Sequence, residues 1–472
     1  LGVDKQKCLL GMVGLGVMGR NLVLNMADHG FAVAGYDKDP EKIRQLNEKG
    51  KGKSVHGFEK INDFIESLAK PRTVMMLVPA GKPVDSVISD VVPFLSKNDI
   101  LIDAGNSFFK DTDKRAERLA EKKIFYLGVG VSGGAQGARF GPSIMPGGPK
   151  EAYENVHEIF EAASAHINGT PCVTWLGPGS AGHYVKMVHN GIEYGLMQLI
   201  AESYDIMSQI LKFSSEQLSQ VYNKWNEGPL NSFLIEITSN IFKKIDEKTH
   251  KHLVEVILDE AQQKGTGAWS SQNALELQVA VPIIDTAVQM RFLSTDKKLR
   301  KKESKLLNGP SVVFKGDAES LVEDLKNALL AGFIISYAQG FFLLSAASEA
   351  MTYNLDMGKI AAIWRGGCII RSTLLDKIMH AYRNNPKLEH LIEDPDLIVQ
   401  VVRSQRGLRN VVQTTSELGI PAPGMMSILS YYDSLRSSWL PANLIQAQRD
   451  YFGSHQYQRT DEKGKFHAEW TK

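Results

Sequence analysis

CLLGMVGLGVMGRNLVLNMADHGFAVAGYD, residues 8–37, decides how this chain is read. Residues 8–13 form a short apolar run of strand type and lead into Gly14-Leu15-Gly16-Val17-Met18-Gly19. The stretch 20–29 has helical character, and 31–37 reads as a second strand that ends on Asp37. A G-x-G-x-x-G alone recurs by chance. Set between a strand and a helix, it is a phosphate cradle. Its glycines permit a tight turn, close approach of a pyrophosphate and packing of helix on strand, and the helix start offers free N–H groups. Asp37 completes the pattern, because a carboxylate about twenty residues on accepts hydrogen bonds from ribose hydroxyls. The same carboxylate repels a 2′-phosphate. Lys38 can offset that charge, whereas Asp39 adds to it, so the residues lean toward NAD over NADP.

Working outward, the alternation continues. Residues 73–78, 100–103 and 125–131 read as strands, separated by helical patterns at 84–95 and 111–122. This is the signature of an α/β, doubly wound, Rossmann-type parallel sheet. Ligands on such sheets bind beyond the carboxyl ends of the strands. Three loops belong there: Val78-Pro79-Ala80, Gly105-Asn106-Ser107, and Val131-Ser132-Gly133-Gly134. The last pairs a hydroxyl with successive backbone N–H groups, which suits an anion and equally suits a plain turn.

At Gly177-Pro178-Gly179-Ser180 the composition shifts, and Ser180 is a candidate helix N-cap. The expected organisation is a dinucleotide-binding domain over 1–179, a large all-helical domain over 180–439, and a tail over 440–472. Helical periods dominate the second part, at 184–211, 215–226, 230–244, 319–349 and 357–379. The most apolar run, 329–347, carries Ser336, Gln339 and Ser345 and reads as a buried helix rather than a membrane span. The basic run 297–305 reads as a solvated segment. After Leu440-Pro441 comes a short helix at 442–451, then a polar, irregular end. Leu444, Tyr451, Phe452 and Trp470 are costly to leave in water, which suggests that the tail docks on another surface.

The stretch 182–195, GHYVKMVHNGIEYG, carries the chemistry. Lys186, His189, Asn190 and Glu193 follow the spacing i, i+3, i+4, i+7, within an arc of about 100° on a helix. Such a stripe is ordinarily a solvated face. Here the flanking Val185, Met187, Val188, Ile192, Leu196 and Met197 are apolar, so the helix is expected to be buried and the stripe to need internal or ligand partners. A lysine and a glutamate two turns apart on such a face are a candidate base and acid. Lys264-Gly265-Thr266-Gly267 can close around an anion or mark a helix C-cap, and Arg291 in an apolar helix calls for a buried partner.

Composition narrows the classes further. The 472 residues carry 54 Lys and Arg against 53 Asp and Glu, a net charge of +1, so nothing electrostatic points to nucleic acid or an anionic membrane. Cys8, Cys172 and Cys368 lack CxxC pairing, which supports neither a disulfide framework nor a zinc site and fits a reducing cytoplasm. No signal-peptide pattern opens the sequence.

Taken together, these motifs resemble the decarboxylating 6-phosphogluconate dehydrogenase family along essentially the whole chain. The resemblance rests on GLGVMG at 14–19, GVSGGAQGARFGPSIMPGG at 130–148 and GHYVKMVHNGIEYG at 182–195. It extends to LDEAQQKGTGAW at 258–269, WRGGCIIRS at 364–372 and LPANLIQAQRDYFGSH at 440–455. It implies oxidation of 6-phosphogluconate to ribulose 5-phosphate and CO2 with reduction of a nicotinamide cofactor, in the pentose phosphate pathway, without a metal. It also implies a homodimer whose tail enters the partner subunit. By the same resemblance Lys186 is the general base and Glu193 the general acid. Ser132, Gly133 and Gly134 would bind the carboxylate end, Asn106 would lie between cofactor and substrate, and His189 with Asn190 would hold the hydroxyls. Tyr194, Lys264 and Arg291 would bind the phosphate, and Arg449 and His455 would arrive from the other subunit. Cofactor contacts would fall on Gly14, Leu15, Gly16, Val17, Met18, Gly19, Asp37, Lys38, Asp39, Val78, Pro79, Ala80 and Asn106. The chain departs from the family at two places: Asp37-Lys38-Asp39 replaces Asn-Arg-Thr, and Pro79 replaces a lysine. Both remove support for a 2′-phosphate and keep the expectation at NAD or dual use. A smaller β-hydroxyacid dehydrogenase would lack the 264–267 segment and the tail, and a non-catalytic nucleotide scaffold would not need both Lys186 and Glu193.

Overall fold

The computed structural model describes residues 7–470, so positions 1–6 and 471–472 of the expected first and last spans lie outside the described residues. Seven strands form one sheet: β1 (Leu10–Val13), β2 (Val33–Tyr36), β3 (Val55–Phe58), β4 (Thr73–Met76), β5 (Ile100–Asp103), β6 (Phe125–Ser132) and β7 (Ser143–Gly147). Their order is β3-β2-β1-β4-β5-β6-β7. All neighbours are parallel except β6 and β7, which run antiparallel with Gly130 opposite Met145. The sequence expectation of a parallel sheet therefore holds from β1 to β6 and needs one antiparallel strand added at the edge. β3 and β7 were not expected. The first carries the weak alternation Val-His-Gly-Phe on an edge, and the second contains Pro146 among glycines, a poor strand signal.

Helices α1 (Val17–Asp28), α2 (Pro40–Lys49), α3 (Lys82–Val91) and α4 (Gly134–Phe140) flank this sheet. Two apolar clusters, one centred on Met12, Ile102 and Phe160 and the other on Val74, Met76 and Phe64, fill the spaces around it. The strands are buried because side chains on both of their faces meet helices.

From residue 181 onward, helices take over. The main ones are α5 (Ala181–Ile210), α6 (Thr266–Glu276), α7 (Pro282–Thr295), α8 (Ala318–Ala350), α9 (Met357–Trp364), α10 (Leu374–Asn384), α11 (Pro395–Leu418), α12 (Pro423–Leu435) and α13 (Ala442–Gly453). One continuous core joins α5, α8 and α11. Among the described residues α8 alone is long and apolar enough to cross a membrane, and 89% of its most apolar window is buried inside the protein. The helix expected over 357–379 is two helices, because Gly366 and Gly367 break it; Gly367 adopts φ +65°. The basic run forms a short helix, Lys297–Glu303, with no buried residues.

Ser180 occupies the N-cap position of α5 but does not cap it. Its hydroxyl instead donates to Asp113 Oδ2 at 2.8 Å and meets Tyr353 OH at 2.7 Å, tying the sheet domain to the helices. The 264–267 segment precedes α6, with Gly265 at φ +97°, so the Lys-Gly step starts a helix and is not a C-cap.

The joint between sheet and α5 is unusually close. A Cβ on Gly130 would sit 2.4 Å from Lys186 Cβ, and one on Gly182 would sit 2.3 Å from both Gly128 O and Met145 O. Only glycine lets the first turns of α5 lie directly on β6 and β7. The reactive stripe is thereby placed at the carboxyl end of the sheet.

Candidate active site

The burial of α5 is nearly complete over its first half, so Lys186, His189 and Asn190 of its polar stripe are internal, while the Glu193 side chain is 21% exposed. Lys186 is 6% exposed and His189 is fully buried. Burial pulls the Lys186 ammonium down from the ordinary lysine value, opposed by the nearby Glu193 carboxylate. Burial pushes the Glu193 carboxyl up, opposed by Lys186 and Arg291. Both shifts act toward the neutral forms and bring the proton affinities of the base and the acid closer together. His189 is held well below its usual value, first by burial and then by Lys186. It is therefore neutral, and its 3.8 Å approach to Glu193 Oε2 is not an ion pair.

His189 is fixed on every side. Nδ1 lies 3.0 Å from Asn190 Oδ1 and 3.5 Å from Lys186 Nζ. Nε2 lies 3.2 Å from Ser132 Oγ. The edge of the Trp364 indole closes the remaining side, at a ring distance of 5.5 Å. With the Asn190 carbonyl on Nδ1, that nitrogen donates and Nε2 accepts from Ser132.

Beside Ser132, Gly133 and Gly134 adopt φ +112° and +61°. A Cβ on Gly133 would meet Gly367 O at 2.5 Å. The Ile369 N–H donates to Ser132 Oγ at 3.4 Å, and Ser143 N–H donates to Gly367 O at 2.7 Å. The 365–373 turn is thus a wall of the site. Sequence reasoning used this turn only for the resemblance and missed Trp364, Cys368 and Ile369; the Gly366-Gly367 pair was the available signal. The Cys368 thiol is buried there and pushed up to about 12.

At the other end of the stripe, Arg291 stacks over the Tyr194 ring at 3.6 Å and donates to Gln262 O at 3.2 Å. A Cβ on Gly267 would lie 2.4 Å from the same ring, which brings the 264–267 segment against Tyr194. Lys264 is exposed beside it. The Arg291 guanidinium is therefore held on the residue next to Glu193, and its charge acts on the Glu193 carboxyl.

Asn106 lies exposed in the loop after β5. The buried Asp103 carboxylate shapes that loop by accepting from Gly105 N at 3.0 Å and Ser107 Oγ at 2.6 Å. A Cβ on Gly105 would lie 3.0 Å from Val78 O, so the Asn106 and Val78–Pro79–Ala80 loops adjoin. Arg449 and His455 make their contacts within the tail, Arg449 with Gln446 and His455 with Phe452, and neither is brought to Lys186 of the same chain.

The dinucleotide site fits its expected occupant. A Cβ on Gly19 would be 2.0 Å from Gly14 O, whereas the space in front of Gly16 is open. Leu15 N donates to Asp37 Oδ2 at 2.7 Å, and Asp39 N donates to Asp37 Oδ1 at 3.0 Å. Val17 and Met18 open α1. A cavity of about 240 Å³ lies between Asp37, Lys38 and Lys42 on one wall and Val78, Pro79, Pro83, Ser86 and Asp90 on the other. It is Lys42, 3.4 Å from Asp37 Oδ1, that partners the Asp37 carboxylate. Lys38, expected to do so, pairs with Asp90 at 2.8 Å. Lys42, on α2, was not among the expected residues. Among the described residues no group of His, Cys, Asp and Glu is arranged to hold a metal ion.

A glycine-rich βα turn after β1, together with a helix that carries a lysine and a glutamate at the far side of the same sheet, marks a nicotinamide-dinucleotide dehydrogenase. Residues 9–177 match the family described as the NAD binding domain of 6-phosphogluconate dehydrogenase, and residues 182–470 match its C-terminal domain. The chain belongs to the 6-phosphogluconate dehydrogenase family. It is 51% identical over 465 residues to the NADP(+)-dependent, decarboxylating 6-phosphogluconate dehydrogenase of Bacillus subtilis, covering 98% of this chain and 99% of that one. It is 51% identical over 451 residues to decarboxylating 6-phosphogluconate dehydrogenase 2 of Saccharomyces cerevisiae, covering 95% and 92%. The Plasmodium falciparum 6-phosphogluconate dehydrogenase, solved in apo form and in complexes with NADP+ and with 6-phosphogluconate, superposes with a TM-score of 0.95. That match has 46% identity and covers 98% of this chain and 100% of that one.

Proposed function

We propose that this chain catalyses the oxidative decarboxylation of 6-phosphogluconate to ribulose 5-phosphate and CO2, a reaction of the pentose phosphate pathway, in the cytoplasm. The observation that carries the reading is one buried helix face with Lys186 and Glu193 pushed toward their neutral forms, set between two anion-binding ends. Ser132, Gly133 and Gly134 receive the substrate carboxylate. Tyr194, Lys264 and Arg291 receive the phosphate, whose roughly two negative charges suit a Lys/Arg pair. His189, Asn190 and Asn106 hold the hydroxyls between them.

The dinucleotide would be held by the backbone of 14–19, by Asp37, Lys38 and Asp39, and by Val78, Pro79, Ala80 and Asn106. When bound, it supplies a hydride acceptor for C3. Lys186 removes the C3 hydroxyl proton, which requires the free amine, and burial moves its proton affinity in that direction. The resulting β-keto acid sheds CO2 because its ketone can take the electron pair. Lys186, now an ammonium, donates to that ketone oxygen and stabilises the enolate charge as it develops. Glu193 then protonates C1 of the enediol. The lysine serves as the electrophile, and the scheme uses no metal.

Asp37, with Asp39 beside it and Pro79 opposite, favours NAD or dual use, although the Bacillus relative is described as NADP-dependent. The exposed Leu444, Tyr451 and Phe452 favour a homodimer in which Arg449 and His455 complete the partner's site.

Lys186→Met tests the scheme: turnover of 6-phosphogluconate should vanish while cofactor binding stays within twofold, and retained turnover overturns the assignment. Comparing kcat/KM for NAD and NADP on the unaltered enzyme tests selectivity, and a large NADP advantage refutes the lean to NAD.

A further inference from the structure

Two acid–base pairs flank the cofactor-side cavity, and they differ in reach. Asp37 and Lys42 lie on the same wall, and the Asp37 carboxylate is only 11% exposed. Lys38 and Asp90 come from opposite walls, one from the end of β2 and the other from α3, and their 2.8 Å contact spans the mouth of the cavity. Lys42 is the cation nearer Asp37, but that carboxylate engages it at 3.4 Å; Lys38, next to Asp37 in sequence and not paired with it, is the cation that can be re-aimed toward the ribose hydroxyls. Pairing with Asp90 carries it to the far wall and raises its proton affinity. Asp39 accepts Glu41 N–H at 3.0 Å and is committed to the start of α2.

We propose that Asp90 is a specificity-determining residue: by holding Lys38 across the cavity mouth it withdraws that cation from the 2′ position of a bound nucleotide and so disfavours a 2′-phosphate. The proposal rests on the dinucleotide reading of this cavity and deepens it. Lys38 is two-thirds exposed on a flexible stem and gains a new position once Asp90 no longer holds it.

Isothermal titration of the full-length enzyme, without substrate, with ADP-ribose and with 2′-phospho-ADP-ribose separates the possibilities. Asp90→Asn should tighten the 2′-phosphorylated ligand at least fivefold and leave ADP-ribose within twofold. Adding Lys38→Met to Asp90→Asn should abolish that gain, and Asp90→Glu, which keeps the pair, should reproduce the unaltered enzyme. Equal changes for both ligands, no change, or a gain that survives Lys38→Met each overturns the proposal; the last would mean that removing a negative charge acts at a distance. Failure of both ligands to bind any form would instead overturn the cofactor reading itself. The preference of the unaltered enzyme tests the lean to NAD separately.

Discussion

Replacing Gly130 by alanine would drive a methyl group into the helix that carries Lys186. The added Cβ falls 2.4 Å from Lys186 Cβ and 2.9 Å from its Cγ, with Gly182 O at 3.2 Å. Carbon atoms in contact settle about 3.5–4.0 Å apart. The strand or the helix must therefore yield by roughly 1 Å or more, and neither is a free side-chain end. Gly130 does not occupy the left-handed region, so alanine adds no backbone strain there and the effect is steric. Overpacking of this kind costs about 1–3 kcal/mol. For a chain of 472 residues that corresponds to only about 1–3 °C in Tm. Catalysis should suffer far more, because displacing a catalytic group by about 1 Å can cost on the order of 100-fold. The assay follows reduced cofactor with saturating 6-phosphogluconate, alongside thermal unfolding and cofactor titration. The expected result is kcat down by about 100-fold, a small loss in Tm, and cofactor affinity within twofold, since the 14–19 turn lies elsewhere on the sheet. A Gly130→Ala enzyme with kcat within twofold of the parent would show that this contact does not position Lys186.

Three further outcomes follow from named groups. In the proposed scheme Lys186 acts deprotonated and Glu193 protonated, and their shifts move both toward neutrality; kcat should therefore be bell-shaped in pH, with one limb from each group. Glu193→Gln should lower kcat and erase one limb, and an unchanged bell would assign that titration to another group. Glu202, buried and accepting from Gly424 N at 2.6 Å and Met425 N at 2.9 Å, is pushed up to about 7 chiefly by burial. A carboxyl raised in the folded state makes the protein lose stability as pH climbs from the unfolded value through about 7, by up to roughly 3 kcal/mol. The Tm of Glu202→Gln should gain on the parent between pH 5 and pH 8, and parallel curves would refute the shift. Asp450 accepts from Gln456 N, His467 Nδ1, Ala468 N and Trp470 Nε1, at 2.8 to 3.1 Å. Asp450→Ala should expose 440–470 to limited proteolysis while leaving the Tm of the helical core in place, and an intact tail would show that the carboxylate does not organise it.

How much of this was legible in the sequence depended on where each signal came from. The β1 turn, the parallel strands through β6 and the polar stripe of α5 are encoded locally, by period and by glycine spacing, and the structure bears them out. What resisted reading depends on partners distant in sequence. Ser180 is a normal N-cap residue by type, yet Asp113 and Tyr353 claim its hydroxyl. Lys38 was the natural counter-ion for Asp37 by adjacency, whereas helical geometry gives that place to Lys42. β7 is a strand because β6 offers it an edge, although its own residues argue against one. The wall made by Trp364, Cys368 and Ile369 meets Ser132 across more than two hundred positions of chain, and no window of local sequence reports such a meeting.

The glycine seam between β6 and α5 has a mechanical consequence. At Gly182 backbone rests on backbone and at Gly130 backbone rests on the stem of Lys186, leaving little side-chain layer to slide or compress, so the sheet and α5 have little bearing on which to rotate. The enzyme should work as a fixed frame and not as a jaw. Traffic of reactant, product and gas must then pass at the rim, by the Asn106 loop and the Lys264 segment.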